Sequence, residues 1–272
     1  MRYETRVLLD GLGPVEAPRW HDSRLWFSDF GARKVMTVDL KGKAETVVEV
    51  PQQPSGLGWL PDGRLLVVSM RDRRLLRLDS NGLSEVVDLS RLALHPCNDM
   101  VVDSQGRAYI GHFGFDFWGR QPFAPAGLIL VTPDGNARVV ADDMAFPNGT
   151  VITPDGRTLI VGETYAARLT AFELGLDGSL GGRRIWAQLE GATTDGICLD
   201  AEGAVWVASP ISPEVLRVRE GGEVTHRIAV STAALACMLG GPERRTLFIM
   251  AVIGDGGRIE VTDVDVPGAG LP

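Results

Sequence analysis

Four side chains offer the plainest chemistry in this chain: Glu16, Asn98, Asn148 and Asp195. Two are carboxylates and two are carboxamides, so together they present oxygen donors and two negative charges. Hard divalent cations take that mixture, with water completing the shell. No cluster of His and Cys accompanies the set, which argues against a structural zinc site. The donor types point to a Ca²⁺-type ion, with Mg²⁺, Mn²⁺ or Zn²⁺ able to exchange into the same place. Taken singly, each residue has a plainer explanation. Asn148-Gly149 and Asp195-Gly196 are dipeptides of the kind that form turns. A site is favoured because all four fall at one position of a recurring frame.

The frame is counted from each residue to the next turn glycine. Asn98 to Gly106, Asn148 to Gly156, Asp195 to Gly203 and Ser55 to Gly63 are each eight residues. Ala236 to Arg244 keeps the count without the glycine, and Glu16 fits with one residue fewer before its turn. Six copies therefore start near 16, 55, 98, 148, 195 and 236. Each continues into an apolar return strand: LWFSD at 25–29, LLVVS at 65–69, AYIGH at 108–112, TLIVG at 158–162, VWVAS at 205–209 and TLFIM at 246–250. A second hairpin follows in most copies, for example RLLRLDSNGLSEVV at 74–87, with apolar and polar residues alternating about a glycine-bearing turn.

Four strands in each of six copies of roughly 45 residues predict an all-β fold, a six-bladed β-propeller with four-stranded blades. It is expected to form one domain over residues 1–272. The segment RVLLDGL at 6–12 is expected to supply the missing strand of the last blade, so that closing the ring removes exposed edges. LSRLALHP at 89–96 is expected to make one helical turn, and the aromatic stretch at 111–127 to form a loop over one face. In a propeller the starts of the inner strands surround the axis at one end. Glu16, Ser55, Asn98, Asn148, Asp195 and Ala236 should therefore converge in space.

Bulk composition narrows the function. The 33 glycines and 16 prolines fit many short elements, and a net charge of −8 argues against binding a phosphate backbone. No apolar run approaches the ~20 residues of a membrane helix. No signal peptide is visible, and Cys97, Cys198 and Cys237 form no regular framework, so reduced thiols in the cytoplasm are expected. The expected partner is a small-molecule substrate, with no nucleic acid and no membrane, and the expected assembly is a monomer or a homodimer.

The segments EAPRW at 16–20, PCNDMVVDSQGR at 96–107, FPNGTVITPDGRTL at 146–159, TDGICLDAEGAVWVA at 194–208 and GGPERRTLFI at 240–249 resemble the motifs of the regucalcin (senescence marker protein), gluconolactonase and luciferin-regenerating-enzyme family. The resemblance implies a six-bladed propeller with one catalytic divalent metal in its channel. It implies that Glu16, Asn148 and Asp195 are metal ligands, that Asp195 is also the general base, and that Asn98 holds substrate or completes the metal shell. One position departs from the pattern: where sugar-lactonase members carry a substrate-gripping arginine, this chain has Pro96. Phe113, Phe115, Phe117 and Trp118 suit a less polar substrate, with Phe115 and Trp118 as its expected contacts; the other reading of these aromatics is loop anchoring. The expected function is a metal-dependent lactonase, in which water attacks a metal-polarised ester carbonyl. The alternatives are phosphotriester hydrolysis or a lyase or isomerase step at the same site, and a propeller that only binds.

Overall fold

A computed structural model describes residues 3–270. The short apolar runs become strands, and the turns between them close six antiparallel sheets of four strands each. Blade 1 comprises Val15–His21, Arg24–Asp29, Lys34–Val38 and Ala44–Glu49; blade 2, Pro54–Trp59, Leu65–Ser69, Arg74–Asp79 and Gly82–Asp88. Blade 3 comprises Cys97–Val102, Ala108–His112, Ala126–Val131 and Ala137–Met144; blade 4, Pro147–Ile152, Thr158–Glu163, Arg168–Leu174 and Leu180–Gln188. Blade 5 runs Ile197–Leu199, Val205–Ser209, Glu214–Val218 and Val224–Ala229. Blade 6 has Ala233–Gly240, Thr246–Ile253 and Gly256–Asp263, and its outer strand is Arg6–Leu12 from the start of the chain. This closure is the one expected from the short last repeat. The six-bladed all-β propeller is therefore the fold.

Apolar residues fill the spaces between blades. Leu66, Val68, Met100 and Ile110 join blades 2 and 3, and Trp206, Phe248 and Phe27 belong to the cluster that joins blades 5, 6 and 1. The helical turn expected at 89–96 is present as a bond from Ala93 N to Leu89 O. A 3₁₀ turn at Thr164–Ala166 was not foreseen. The chain's last described residues also do unforeseen work. Ala201 N bonds Pro267 O and Ala269 N bonds Leu199 O, so residues 264–270 run beneath the turn end of the ring.

What positions the site is the innermost layer. In blades 1 to 4 the pairing of the first two strands slips just at the channel end, after Glu16, Pro54, Cys97 and Pro147. Such bulges bend a strand and re-aim side chains. The backbones also come very close. A Cβ on Gly149 would lie 2.4 Å from Ile197 N, and one on Gly196 would lie 2.4 Å from the Ala236 Cβ. These glycines are not left-handed turn residues. They are present because neighbouring inner strands leave no room for a side chain, which answers the turn explanation of the Asn-Gly and Asp-Gly pairs.

Blade 6 differs. Its extra residue is Leu235, between Ala234 and Ala236, and Ala236 pairs regularly with Met250. The sixth repeat therefore has no polar corner, and Leu235 supplies only a carbonyl, to Gly196 N at 2.8 Å.

We expect Gly149→Ala to be destabilising by roughly 1–3 kcal/mol through overpacking against backbone that cannot yield. A urea midpoint lowered by that amount, with far-UV spectrum retained, is the expected result. Gly181→Ala, where a Cβ would meet nothing within 4 Å and the backbone is not left-handed, is expected to cost less.

Candidate active site

The corners of blades 2 and 4 are built alike. A residue ahead of the corner is held in unusual backbone geometry: Gln53 has φ +69° and Phe146 φ +66°, each followed by proline and then by Ser55 or Asn148. Positive φ is a genuine outlier for a bulky residue and is held only where packing over-determines it. Beyond the corner the close approach of strands leaves the side chain only the axis to point into. Ser55, Asn98 and Asn148 are buried there, while Glu16 and Asp195 keep a slice of exposure on the channel wall although protein surrounds them. Asn98 Nδ2 reaches Pro147 O at 3.5 Å, and Asn148 Nδ2 donates to Thr164 Oγ1 at 3.3 Å. Glu16, Asn148 and Asp195 are thus brought together, with Asn98 beside them.

The electrostatics of this group are unfavourable without a cation. Burial pushes the Glu16 carboxyl up to about 8; the Ser55 hydroxyl opposes the rise, Asp99 adds to it, and Arg19 opposes it more weakly. The Asp195 carboxyl stands well above the usual range, first through burial, then through the charges of Glu16 and Asp99, with the Asn148 amide partly offsetting them. The Ser55 hydroxyl lies near Glu16, yet neither its Oγ nor Glu16 Oε1 completes a hydrogen bond of acceptable geometry.

The arginine in the channel is committed elsewhere. Arg19 Nη2 donates to Asp99 Oδ1 at 2.6 Å and to Met100 O at 2.7 Å, Nε to Leu57 O at 3.0 Å, and Nη1 to Pro18 O at 2.8 Å. It therefore ties the inner strands of blades 1, 2 and 3 together and neutralises Asp99. The repeat frame alone gives no sign of this pair. In fact Asp99 stands where blades 2, 4 and 5 have Gly56, Gly149 and Gly196, and its side chain finds a cation across the ring. The available signal was an acid in a glycine's place together with the arginine of EAPRW.

The residues fit a cation. Two crowded carboxylates, one with an unpartnered buried oxygen, and adjacent carboxamides are the donor set of a hard divalent ion. Among the described residues no group of three or more His, Cys, Asp and Glu side chains is gathered as a metal site, so amide oxygens have to contribute. His112 Nε2 accepts from Gly127 N at 3.0 Å, and burial, with His95 adding, lowers its pKa to about 4, so the ring is neutral. The three cysteines are free and buried.

Above the corners the rim is aromatic. Phe30, Met70, Phe113, Phe115 and Phe146 pack in one cluster. Phe115 is 4% exposed and belongs to the back of that cluster. Trp118 is 42% exposed, with the Arg71 guanidinium 3.5 Å from its ring centroid.

Removing Arg19 would leave Asp99 as a third uncompensated acid beside Glu16 and Asp195. We expect Arg19→Met to lose about 3–5 kcal/mol of stability, the usual cost of breaking one side of a buried pair. The double variant Arg19→Met/Asp99→Asn should recover part of that loss in the same denaturant titration.

The profile described as SMP-30/Gluconolactonase/LRE-like region matches residues 14–253. The chain is 27% identical to a 6-deoxy-6-sulfogluconolactonase of Pseudomonas putida, covering 94% of this chain and 93% of that one. Its fold is like that of a luciferin-regenerating enzyme, with a TM-score of 0.86 at 17% identity over 98% of each chain. It is also like that of a calcium-binding protein, regucalcin, from Agrobacterium tumefaciens, with a TM-score of 0.83 at 21% identity over 100% of this chain and 97% of that one. The corners that converge on the channel are the segments that carry the motifs of this group, and the chain belongs to the SMP-30/gluconolactonase/LRE-like family.

Proposed function

We propose that the chain is a divalent-metal-dependent lactonase. Its relatives include a lactonase, which supports ring-opening of a cyclic ester. One observation carries the metal dependence: Glu16 and Asp195 share a buried channel whose arginine is already spent on Asp99. Glu16, Asn148 and Asp195 would hold the ion, Ca²⁺ before Mg²⁺, Mn²⁺ or Zn²⁺. When bound, it supplies Lewis-acid polarisation of the ester carbonyl.

The chain's own residues do the rest. Asn98, adjoining Asn148 through Pro147, orients the ring. Asp195 accepts a proton from the water that attacks the carbonyl carbon. The acyl–oxygen bond of the ring then breaks, and the same proton is returned to the departing ring oxygen, so the product is the open-chain hydroxy acid. The narrow channel limits bulk water around the reacting group, which strengthens each of these contacts.

Removal of metal by a chelator is expected to abolish lactone opening, and readdition of Ca²⁺ to restore it. Saturating Ca²⁺ should also raise the thermal midpoint of the native protein, since a ligand at 100 times its Kd adds about 2.7 kcal/mol. Glu16→Gln should lose that shift as well as turnover. Asp195→Asn should lose turnover by at least about 100-fold, the scale of a positioned base. Full activity in the presence of chelator would remove the metal from the mechanism.

A further inference from the structure

In blades 1 to 4 the second strand ends opposite the residue that precedes the corner: Asp29 pairs with Val15, Ser69 with Pro54, His112 with Cys97 and Glu163 with Pro147. The residues that follow those ends therefore stand at the channel mouth. They are Phe30, Met70, Phe113 and Thr164. Three of the four are apolar, and Phe146 joins them from two residues ahead of Asn148, its ring 4.6 Å from that of Phe113. Beside this wall, Pro96 has no backbone N–H to offer. Its carbonyl is taken by Phe113 N at 3.0 Å, and the next amide, Cys97 N, bonds Met70 O.

Next to this wall lies an open hollow of about 520 Å³ lined by Phe115, Phe117, Trp118, Arg120, Gln121 and Tyr165. Its lining adjoins the candidate site along the chain. Thr164, which accepts from Asn148, is followed directly by Tyr165, and Tyr165 N is held by Ala145 O. Phe146 backs onto both places, with its ring 5.5 Å from Tyr165 and 5.9 Å from Phe117. Phe117, Trp118 and Tyr165 are partly open to solvent, whereas Phe115 and Phe146 form the buried floor. The Trp118 indole is held by Arg71, whose Nε donates to Gln53 Oε1 at 2.6 Å.

We propose that this hollow receives an apolar alkyl or aryl substituent of a lactone whose ring carbonyl sits among Glu16, Asn148 and Asp195. The inference rests on the lactonase reading and adds the substrate class. A polyhydroxylated ring would leave its hydroxyls against phenylalanine and methionine at this rim, and a polar group without a partner is costly to bury. An alkyl chain gains by leaving water at each methylene.

The test uses purified, Ca²⁺-loaded protein and three lactones: an unsubstituted γ-lactone, the same ring bearing a hexyl chain, and glucono-δ-lactone. The hexyl compound should exceed the unsubstituted one in kcat/KM by about tenfold or more. Trp118→Ala and Phe117→Ala should each reduce that ratio severalfold. Leu176→Ala, at an exposed turn remote from the channel mouth, should keep it. A preference for glucono-δ-lactone, or a ratio unmoved in both aromatic variants, would overturn the inference while leaving the lactonase reading in place. No turnover of any of the three would overturn both.

Discussion

The inner strands of this ring meet backbone against backbone. Gly149 lies against the backbone of Asp195 to Ile197, and Gly196 against Leu235 and Ala236, with no space for a Cβ between them. This contact is the constraint from which the site follows. Strands so close to each other cannot place side chains between themselves at that level, so the preceding residues project toward the axis. Five polar side chains from five distant stretches of sequence are thereby forced into one narrow place. Burial then makes their charges expensive, and expensive charges concentrate affinity for a cation.

Charge is distributed unevenly within that place. Asp99 and Arg19 cancel each other, and the guanidinium uses its remaining donors on the Leu57, Pro18 and Met100 carbonyls. Their pair is structural, in that it cross-links the inner strands of blades 1 to 3. It is also electrostatic, because it engages Arg19, whose charge then opposes the rise at Glu16 only weakly. The result is an acid pair with adjacent carboxamides and no resident counter-charge.

The repeat was legible because both ends of its frame are pinned by the backbone. The corner is pinned by strand contact, and the turn by a left-handed residue, Gly106, Gly156 or Gly203. Eight residues fit between two such fixed points, so counting worked without any knowledge of contacts. In blade 6 Arg244 takes the left-handed turn position with φ +53°, which kept the frame recognisable, but the bulge moved to Leu235 and the corner disappeared. A one-residue displacement of that kind leaves no trace in spacing. The Arg19–Asp99 pair was not legible for a related reason: its partners are 80 residues apart and occur in one blade pair only. The tail at 264–270 belongs to no repeat, so periodicity had nothing to say about it. Among the aromatics of 113–118, Phe115 is buried and Trp118 is exposed, a difference that spacing does not reveal.

That division has a mechanical consequence. A phenylalanine at φ +66° costs on the order of 1–3 kcal/mol in backbone strain, and the conformation survives only if the ring is held. The Phe146 ring is held by Phe113, Phe115 and Phe117. Its backbone is followed by Pro147, which fixes one dihedral, and then by Asn148. The loop that lines the mouth and the side chain that points into the channel are therefore two ends of one braced segment. Repacking the rim to suit a different substituent would also change the force on Phe146, and through it the direction of the Asn148 carboxamide. On the proposed reading, specificity and ion binding would be coupled through that residue, with no rim side chain needing to touch the ion.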